Sequence, residues 1–376
     1  MILYLLLAVV TILTAWFVHN DAEERIADRQ IRMSRQELVN KICLSAVFVI
    51  LFIPSALRFN VGNDYYTYVN RFHELSFGGY TEFEPGNALL VRIVYGLTGF
   101  ECYELVFAIF AAVTLFLFLK VLCEQTTDFF TAFALFMLQG MYFQTYNTVR
   151  YYLALAVAVF SLRFVLRKQY LRFILVIVAA AFFHKSVLIV IPIYLLATIR
   201  WKWWMAVIGT LLASTGLIFG DFYQKILLKL YPSYEDTPFL EGGTSYVQLA
   251  KCVLILAVGI VFYKKAVRDD EAMRLYFNLN VMALLLYVFG SFIPVISRIG
   301  YYMTFTQILF ITQLLRKLRE EKYYKWLRIL VLAGAVLYFG LFLKQCYSEE
   351  LKLLPYGSWL FENERIQFEY PMLYME

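Results

Sequence analysis

Four basic residues occupy positions where a membrane protein keeps charge only for a reason. Arg58, Arg150, Lys185 and Arg298 come from separate parts of the chain, yet each stands beside the end of an apolar segment at one shared edge of the bilayer those segments imply. A guanidinium pairs with oxyanions through two parallel hydrogen bonds, so such a set can converge on one anionic ligand in a wet cavity. Independent snorkelling to lipid headgroups is the plainer account. Asp64, Glu82, Glu84, His73 and His184 fall on the same side and can orient a hydroxyl and take its proton. Each has a second reading. Asp64 can simply cap a helix, because Asn63-Asp64 opens a segment with Tyr68, Phe72 and Leu75 on one face. Glu84 precedes Pro85 and is biased to extended backbone, which suits a structured turn as well as a site. An intramembrane histidine is often satisfied by a neighbouring helix. His184, however, adjoins Lys185 and Ser186 at a break between two short apolar segments, a place for a site more than for a core residue.

The elements that must position these groups are helices in a bilayer. The 376 residues are 61% hydrophobic and only 16% charged, with mean hydropathy +0.65, which excludes an ordinary soluble domain. Apolar segments fall at 2–18, 40–57, 102–121, 128–145, 148–166, 170–183, 186–199, 203–219, 248–266, 274–293, 299–315 and 326–344. This pattern predicts an all-α polytopic bundle of about 12 membrane segments forming one integral domain over 1–376. Segments 170–183 and 186–199 are each about 21 Å long at the helical rise, so they read as a tilted pair or as half-helices meeting at His184-Lys185. The stretch 87–97 carries Arg92 and reads as an interfacial or re-entrant helix. Met1 to Val18 has no basic leader and no cleavage site, and is expected to be a retained helix. The five cysteines form no CxxC pair and read as packing residues, with neither a metal cluster nor a disulfide framework indicated.

Orientation follows from lysine and arginine. With the N-terminus outside, inner loops at 20–41, 120, 163–172, 200–202, 264–274 and 316–328 hold 22 of the 34 basic residues. The net charge of +6 is therefore a topology signal and no mark of nucleic-acid binding. On the outer side lie the loops 58–101 and 220–247 and the tail 345–376. The tail offers no chemical reading, and the 220–247 loop, with Tyr231, Tyr234 and Glu241, has the size of a lid or a ligand contact.

A resemblance now joins these pieces. Arg58, Gly62-Asn63-Asp64-Tyr65, Tyr68 and Phe72, then Glu84-Pro85-Gly86, Asn147 with Arg150 and Ala154, Phe183-His184 with Ser186, and Arg298 with Tyr301-Tyr302 resemble, in order and spacing, the EpsG family of Wzy-like polymerases of O-antigen and exopolysaccharide repeat units. Tyr151 stands where many relatives carry Gln, and Asn63 where a small or hydroxyl residue is common.

The resemblance implies a glycosyltransferase-C-like membrane enzyme of the bacterial inner membrane, working without cofactor or metal and facing the periplasm or cell exterior. It implies polyprenyl-diphosphate-linked oligosaccharides as donor and acceptor, membrane lipids around them, and a chain-length regulator and flippase of the same pathway as partners. Asp64, Glu84, His184 and Arg150 are then the expected catalytic residues. Arg58, Arg298, Lys185, Tyr65, Tyr68, Asn147 and Tyr302 are expected to bind substrate. A diphosphate leaving group suits the arginines, because cations that bind it more tightly as charge develops lower the barrier. Tyr65, Tyr66, Tyr68 and Tyr80 can stack on sugars, although an interfacial aromatic belt is the commoner use. The chain has no Gly-rich phosphate loop and no DxD motif. A polysaccharide flippase or transporter would show internal repeats and a midplane site, and neither is visible. A non-catalytic scaffold would not need four cations at one depth, and an O-acyltransferase would have only His184 to work with.

Overall fold

The computed structural model describes residues 1–19, 35–79, 83–230, 243–294 and 296–361. The chain lays down α1 (Ile2–Ala15), α2 (Arg35–Ala56), a two-residue strand β1 (Arg58–Phe59), α3 (Tyr65–Ser76), α4 (Pro85–Thr98) and α5 (Tyr103–Gln125). There follow α6 (Phe129–Leu138), α7 (Met141–Gln144), α8 (Val149–Leu166) and α9 (Tyr170–Ala181), then a 3-10 turn (Lys185–Ile189) and α10 (Val190–Ala197). The last part holds α11 (Trp203–Ile218), α12 (Gly220–Leu230), α13 (Tyr246–Val261), α14 (Glu271–Phe289), α15 (Ile296–Thr304), α16 (Thr306–Lys317), α17 (Tyr324–Gln345) and β2 (Gly357–Ser358). Every apolar segment expected from the sequence is helical, and the protein is an all-α polytopic membrane bundle.

Twelve full crossings are not what these helices show. Among the described residues α2, α5, α8, α14 and α17 are long and apolar enough to span, and α11 with α12, bent by 85° at their junction, makes a sixth if the pair counts as one. The remaining apolar helices are 10–17 residues long. Apolarity of a run does not guarantee an unbroken helix: 128–145 breaks at Gln139-Gly140 and 299–315 at Phe305. A ten-residue helix rises only about 15 Å against a hydrocarbon core of about 30 Å. The break expected at His184-Lys185 is present, since α9 stops at Ala181 and helical structure resumes at Lys185.

In lipid the helices gain little from burying apolar surface, so close packing and interhelical hydrogen bonds must hold them. α8 packs against α5, α9 and α10, and its Ala154, Ala156 and Ala158 are fully buried, which lets those backbones approach. α14 makes a second centre: Asn278 Nδ2 donates to the carbonyls of Ala197 (2.9 Å) and Ile199 (3.0 Å). Gln307 Nε2 donates to Asn280 Oδ1 (2.8 Å), and Asn280 Nδ2 donates to the Cys252 carbonyl (3.0 Å). Bonds of this kind are worth about 0.6–2 kcal/mol each in a membrane.

The two ends of the bundle differ. At one, the loops expected inside are tied by ion pairs, Arg163 and Lys120 to Glu124, Lys168 to Glu271, Lys265 to Glu321, Lys317 to Asp270 and Arg328 to Asp128. This basic end gathers segments from across the sequence. At the far end the tail, silent in the sequence, folds back as a strap: β2 pairs antiparallel with β1, Arg58 opposite Ser358. The Gly62 and Asn63 amides donate to the carbonyls of Lys352 (2.8 Å) and Leu351 (3.2 Å), and the Tyr4 hydroxyl donates to the Leu353 carbonyl (2.7 Å). Tyr80, Glu82, Tyr231, Tyr234 and Glu241, together with most of the 20–41 loop, lie outside the described residues.

Candidate active site

Glu84 and His184, a hundred residues apart, form one unit at the far end. Glu84 has the extended backbone its proline neighbour demands, with ψ 147, and Pro85 then starts α4 without wasting an amide. The helix start is docked on the break after α9. The Gly86 amide donates to the Phe182 carbonyl (2.8 Å), and a Cβ on Gly86 would come within 2.7 Å of that oxygen, so only glycine permits the approach. Asn87, fully buried, donates through Nδ2 to the Phe183 carbonyl (2.8 Å) and to Glu84 Oε2 (3.2 Å). The Lys185 amide donates to Glu84 Oε1 (3.3 Å), and His184 Nδ1 lies 3.5 Å from the same oxygen.

Arg150, one residue into α8, closes the group. Its Nη1 donates to Glu84 Oε2, its Nε reaches the Tyr68 hydroxyl of α3 (3.4 Å), and its guanidinium lies over the Phe83 ring, 4.5 Å from the centroid. Both partners of the ion pair are largely but not fully withdrawn from solvent, with side chains 14% and 12% exposed. Burial pushes the Glu84 carboxyl up, but the His184 imidazole and the Arg150 charge outweigh it and hold the group at about 2. Glu84 is thus a fixed anion. Both ring nitrogens of His184 are buried, and neither makes a well-formed hydrogen bond among the described residues, Nδ1 only approaching Glu84 Oε1. Tyr151 packs edge-on against the His184 ring (centroids 5.6 Å) and against Tyr302 (5.4 Å), and its hydroxyl donates to the Arg298 carbonyl (2.7 Å). Ser186 Oγ and the Tyr302 hydroxyl are 3.2 Å apart.

The expected residues therefore separate into groups. Glu84, Arg150, His184, Tyr68 and the Lys185 backbone make contact. Arg298 and Asp64 stand close enough for their charges to act on Tyr68. Asp64 heads α3, but its carboxylate makes no capping bond; it is the Asp64 amide that is used, donating to Asn147 Oδ1 (3.1 Å). Asn147 thus ties α3 to the start of α8 where Gly62, at φ +97, crosses against the Tyr146 carbonyl. Tyr65 is 1% exposed and stacks on Phe107 (5.1 Å). Arg58 takes no part in the Glu84 cluster: it is 2% exposed, donates to the Ser55 carbonyl and lies over Phe107. Asn87, Phe83 and Tyr151 were not expected in these roles. Asn87 and Phe83 flank the Glu-Pro-Gly motif and could have been drawn in with it; nothing in the sequence marks Tyr151 as the wall behind His184. Among the described residues no three His, Cys, Asp or Glu side chains come together as a metal-ligand set.

A carboxylate held as an anion, facing a buried histidine and within reach of the Arg150 and Arg298 charges, can support proton transfer from a hydroxyl next to an anionic leaving group. Fold and site define a polytopic, all-α membrane protein with a buried charged centre. Residues 41–358 match the EpsG family, and the chain belongs to it, a family of Wzy-like polysaccharide polymerases. The match ends on the last residue of β2, so the tail strap lies within it. No curated protein and no solved structure matches the chain.

Proposed function

We propose that this protein is a glycosyltransferase of the bacterial inner membrane that polymerises polyprenyl-diphosphate-linked oligosaccharide repeat units on the outer face, for O-antigen, capsule or exopolysaccharide. The observation that carries the reading is the Glu84–His184 pair beside Arg150. In the transfer, an acceptor sugar hydroxyl attacks the anomeric carbon of the donor; the new glycosidic C–O bond forms, the bond from that carbon to the diphosphate breaks, and the diphosphate leaves with the electron pair. His184 Nε2 takes the hydroxyl proton. Glu84, kept ionised, orients the ring through Nδ1 and stabilises the imidazolium as it forms. A carboxylate held near 2 is too weak a base for the proton itself, so Glu84 is the positioning residue. Arg298, Lys185 and Arg58 supply positive charge for the departing diphosphate. Asp64, with Tyr68, borders the acceptor side. A chain-length regulator and a flippase of the same pathway would act with it.

The test is the polysaccharide profile of a strain lacking the protein, complemented with variants. Loss of long chains with single lipid-linked units retained supports polymerisation; loss of outward-facing units points to a flippase. His184→Gln should reduce polymer by about 10²–10⁴-fold, the usual worth of a general base, while the protein stays in the membrane. Polymer at the wild-type level from that variant would remove His184 from the chemistry.

A further inference from the structure

On one flank the bundle does not close. α10, α11, α14 and one side of α15 border an apolar cleft of about 760 Å³, the size of a site for a substantial ligand. The cause is one crossing. α11 has a single buried residue, Gly216, where a Cβ would come within 2.5 Å of the Phe289 carbonyl, so there the backbones of α11 and α14 touch. Two turns away a Cβ on Gly209 would meet nothing within 4 Å, because α11 has swung clear. The stripe Trp204, Ile208, Leu212 and Gly216 lines the opening over 12 residues, which is about 18 Å of a hydrocarbon core of about 30 Å.

The cleft faces the bilayer at its side and the polar elements at one end. Ile208 and Leu212 line it yet remain 48% and 67% exposed, so it is open sideways to the bilayer. Its upper wall includes Ile189, Ile299 and Met303. These belong to the turn that carries Lys185 and Ser186, and to the helix that carries Arg298 and Tyr302, so this end of the cleft adjoins the elements that build the polar site. Trp201 and Trp204 mark its other end, beside the basic loop, as aromatic residues do at a membrane interface. Gly209 and Ala213 leave hollows one helical turn apart, where the methyl branches of a chain can seat.

We propose that this cleft holds the isoprenoid tail of the lipid-linked donor, entering sideways from the bilayer while its diphosphate stays beside Lys185 and Arg298. The assignment rests on the polymerase reading for its ligand. Lys185 and Arg298, carried on the two elements that border this end of the cleft, match a diphosphate better than a zwitterionic headgroup, and that selects an isoprenoid diphosphate over bulk phospholipid.

The full-length protein in nanodiscs is photolabelled with a long-chain isoprenyl diphosphate carrying a diazirine near its tail end. Labels should map to α11 and α14, be competed by unlabelled long-chain isoprenyl diphosphate, and resist excess phosphatidylglycerol. Ala213→Trp, which fills the cleft far from the charged residues, should cut labelling at least about tenfold, since losing the burial of two methylenes already costs that much. Gly209→Trp is the second variant should the first not fold. In transfer assays either filled variant should raise KM for long-chain donors and leave donors on a two-isoprene tail unchanged. Labels elsewhere, or equal competition by phosphatidylglycerol, would make this a bulk-lipid cleft and overturn the proposal. Labelling needs no turnover, so a deletion strain that keeps its long chains would sink the polymerase reading separately.

Discussion

Two arginines at the far end, Arg58 fully buried and Arg150 largely so, meet the same physical problem differently. Arg150 is neutralised by Glu84 and backed by the rings of Tyr68 and Phe83. Arg58 has no carboxylate partner among the described residues: one nitrogen donates to the Ser55 carbonyl, the guanidinium lies over Phe107 and Tyr146, and Nε and Nη2 are unsatisfied. Cation–π contacts return about 0.5–2 kcal/mol each, while an unpaired buried charge costs several. Sequence alone placed both residues in one class, as cations waiting for an anion. Their surroundings show that Arg150 already has its anion and that a phosphate would have to displace Glu84 to reach it, whereas Arg58 carries uncompensated charge under an aromatic lid.

The comparison breaks first at Glu84. Glu84→Gln leaves Arg150 buried without a counter-charge, and removing one partner of a buried pair costs about 3–5 kcal/mol. Thermal unfolding in detergent should show that loss, and polymer should fall with it. Adding Arg150→Met should recover most of the stability and none of the activity. A single variant as stable as wild type would mean that the pair is solvated and the contrast with Arg58 is false.

Arg58→Met should move stability the other way. Replacing a poorly paired buried charge by an apolar side chain is neutral or stabilising by up to about 4 kcal/mol, whereas Arg150→Met strands Glu84 and destabilises. If Arg58 also serves the departing diphosphate, the stable variant will still lose polymer. Equal destabilisation by both substitutions would show that Arg58 has an anion of its own.

A smaller effect is expected from pH. The Glu84 carboxyl is held at about 2 when folded, below its ordinary value near 4.5, so its contribution to stability is fully present above the ordinary value and is lost as pH falls toward 2. The wild type should therefore lose more stability than Glu84→Gln between those limits, with Arg58→Met tracking the wild type. Parallel curves for wild type and Glu84→Gln would mean that the carboxylate is not held by its neighbours.

The helices were legible because hydropathy is a local quantity: each apolar segment became helix, and the basic stretches at 120–128, 163–168, 265–271 and 317–328 are tied together by ion pairs at one end. The number of full spans was not, because breaks such as Gln139-Gly140 and Phe305 sit inside runs that remain apolar throughout. At the site, Glu84, His184 and Arg150 were each visible as a charge near an edge. Their union depends on Gly86 and Asn87 docking on the carbonyls of Phe182 and Phe183, a long-range backbone contact that no periodicity encodes. The difference between the two arginines was invisible for the same reason, since it lies in what surrounds them. The tail strap escaped because two-residue strands carry no alternation to read.

That strap yields the finest test, because it holds one arginine and not the other. Arg58 sits on β1, pinned by β2, by the Trp359 amide donating to the Leu57 carbonyl (3.2 Å), and by the Tyr356 hydroxyl donating to the Pro54 carbonyl (3.0 Å). Arg150 is held by the docking of α4 on the break after α9, with no contribution from the tail among these bonds. Tyr356→Phe removes one half-buried hydrogen bond, worth about 0.5–1.5 kcal/mol, and leaves the ring in place. Amide exchange should speed up at Phe59 and Trp359 by the corresponding factor, about 2- to 12-fold, because local opening of the strap becomes that much easier. Exchange at Gly86 and Lys185, which reports the Glu84 cluster, should not change. If both sets accelerate together, the strap and the cluster open as one unit, and the two arginines belong to a single mechanical element after all.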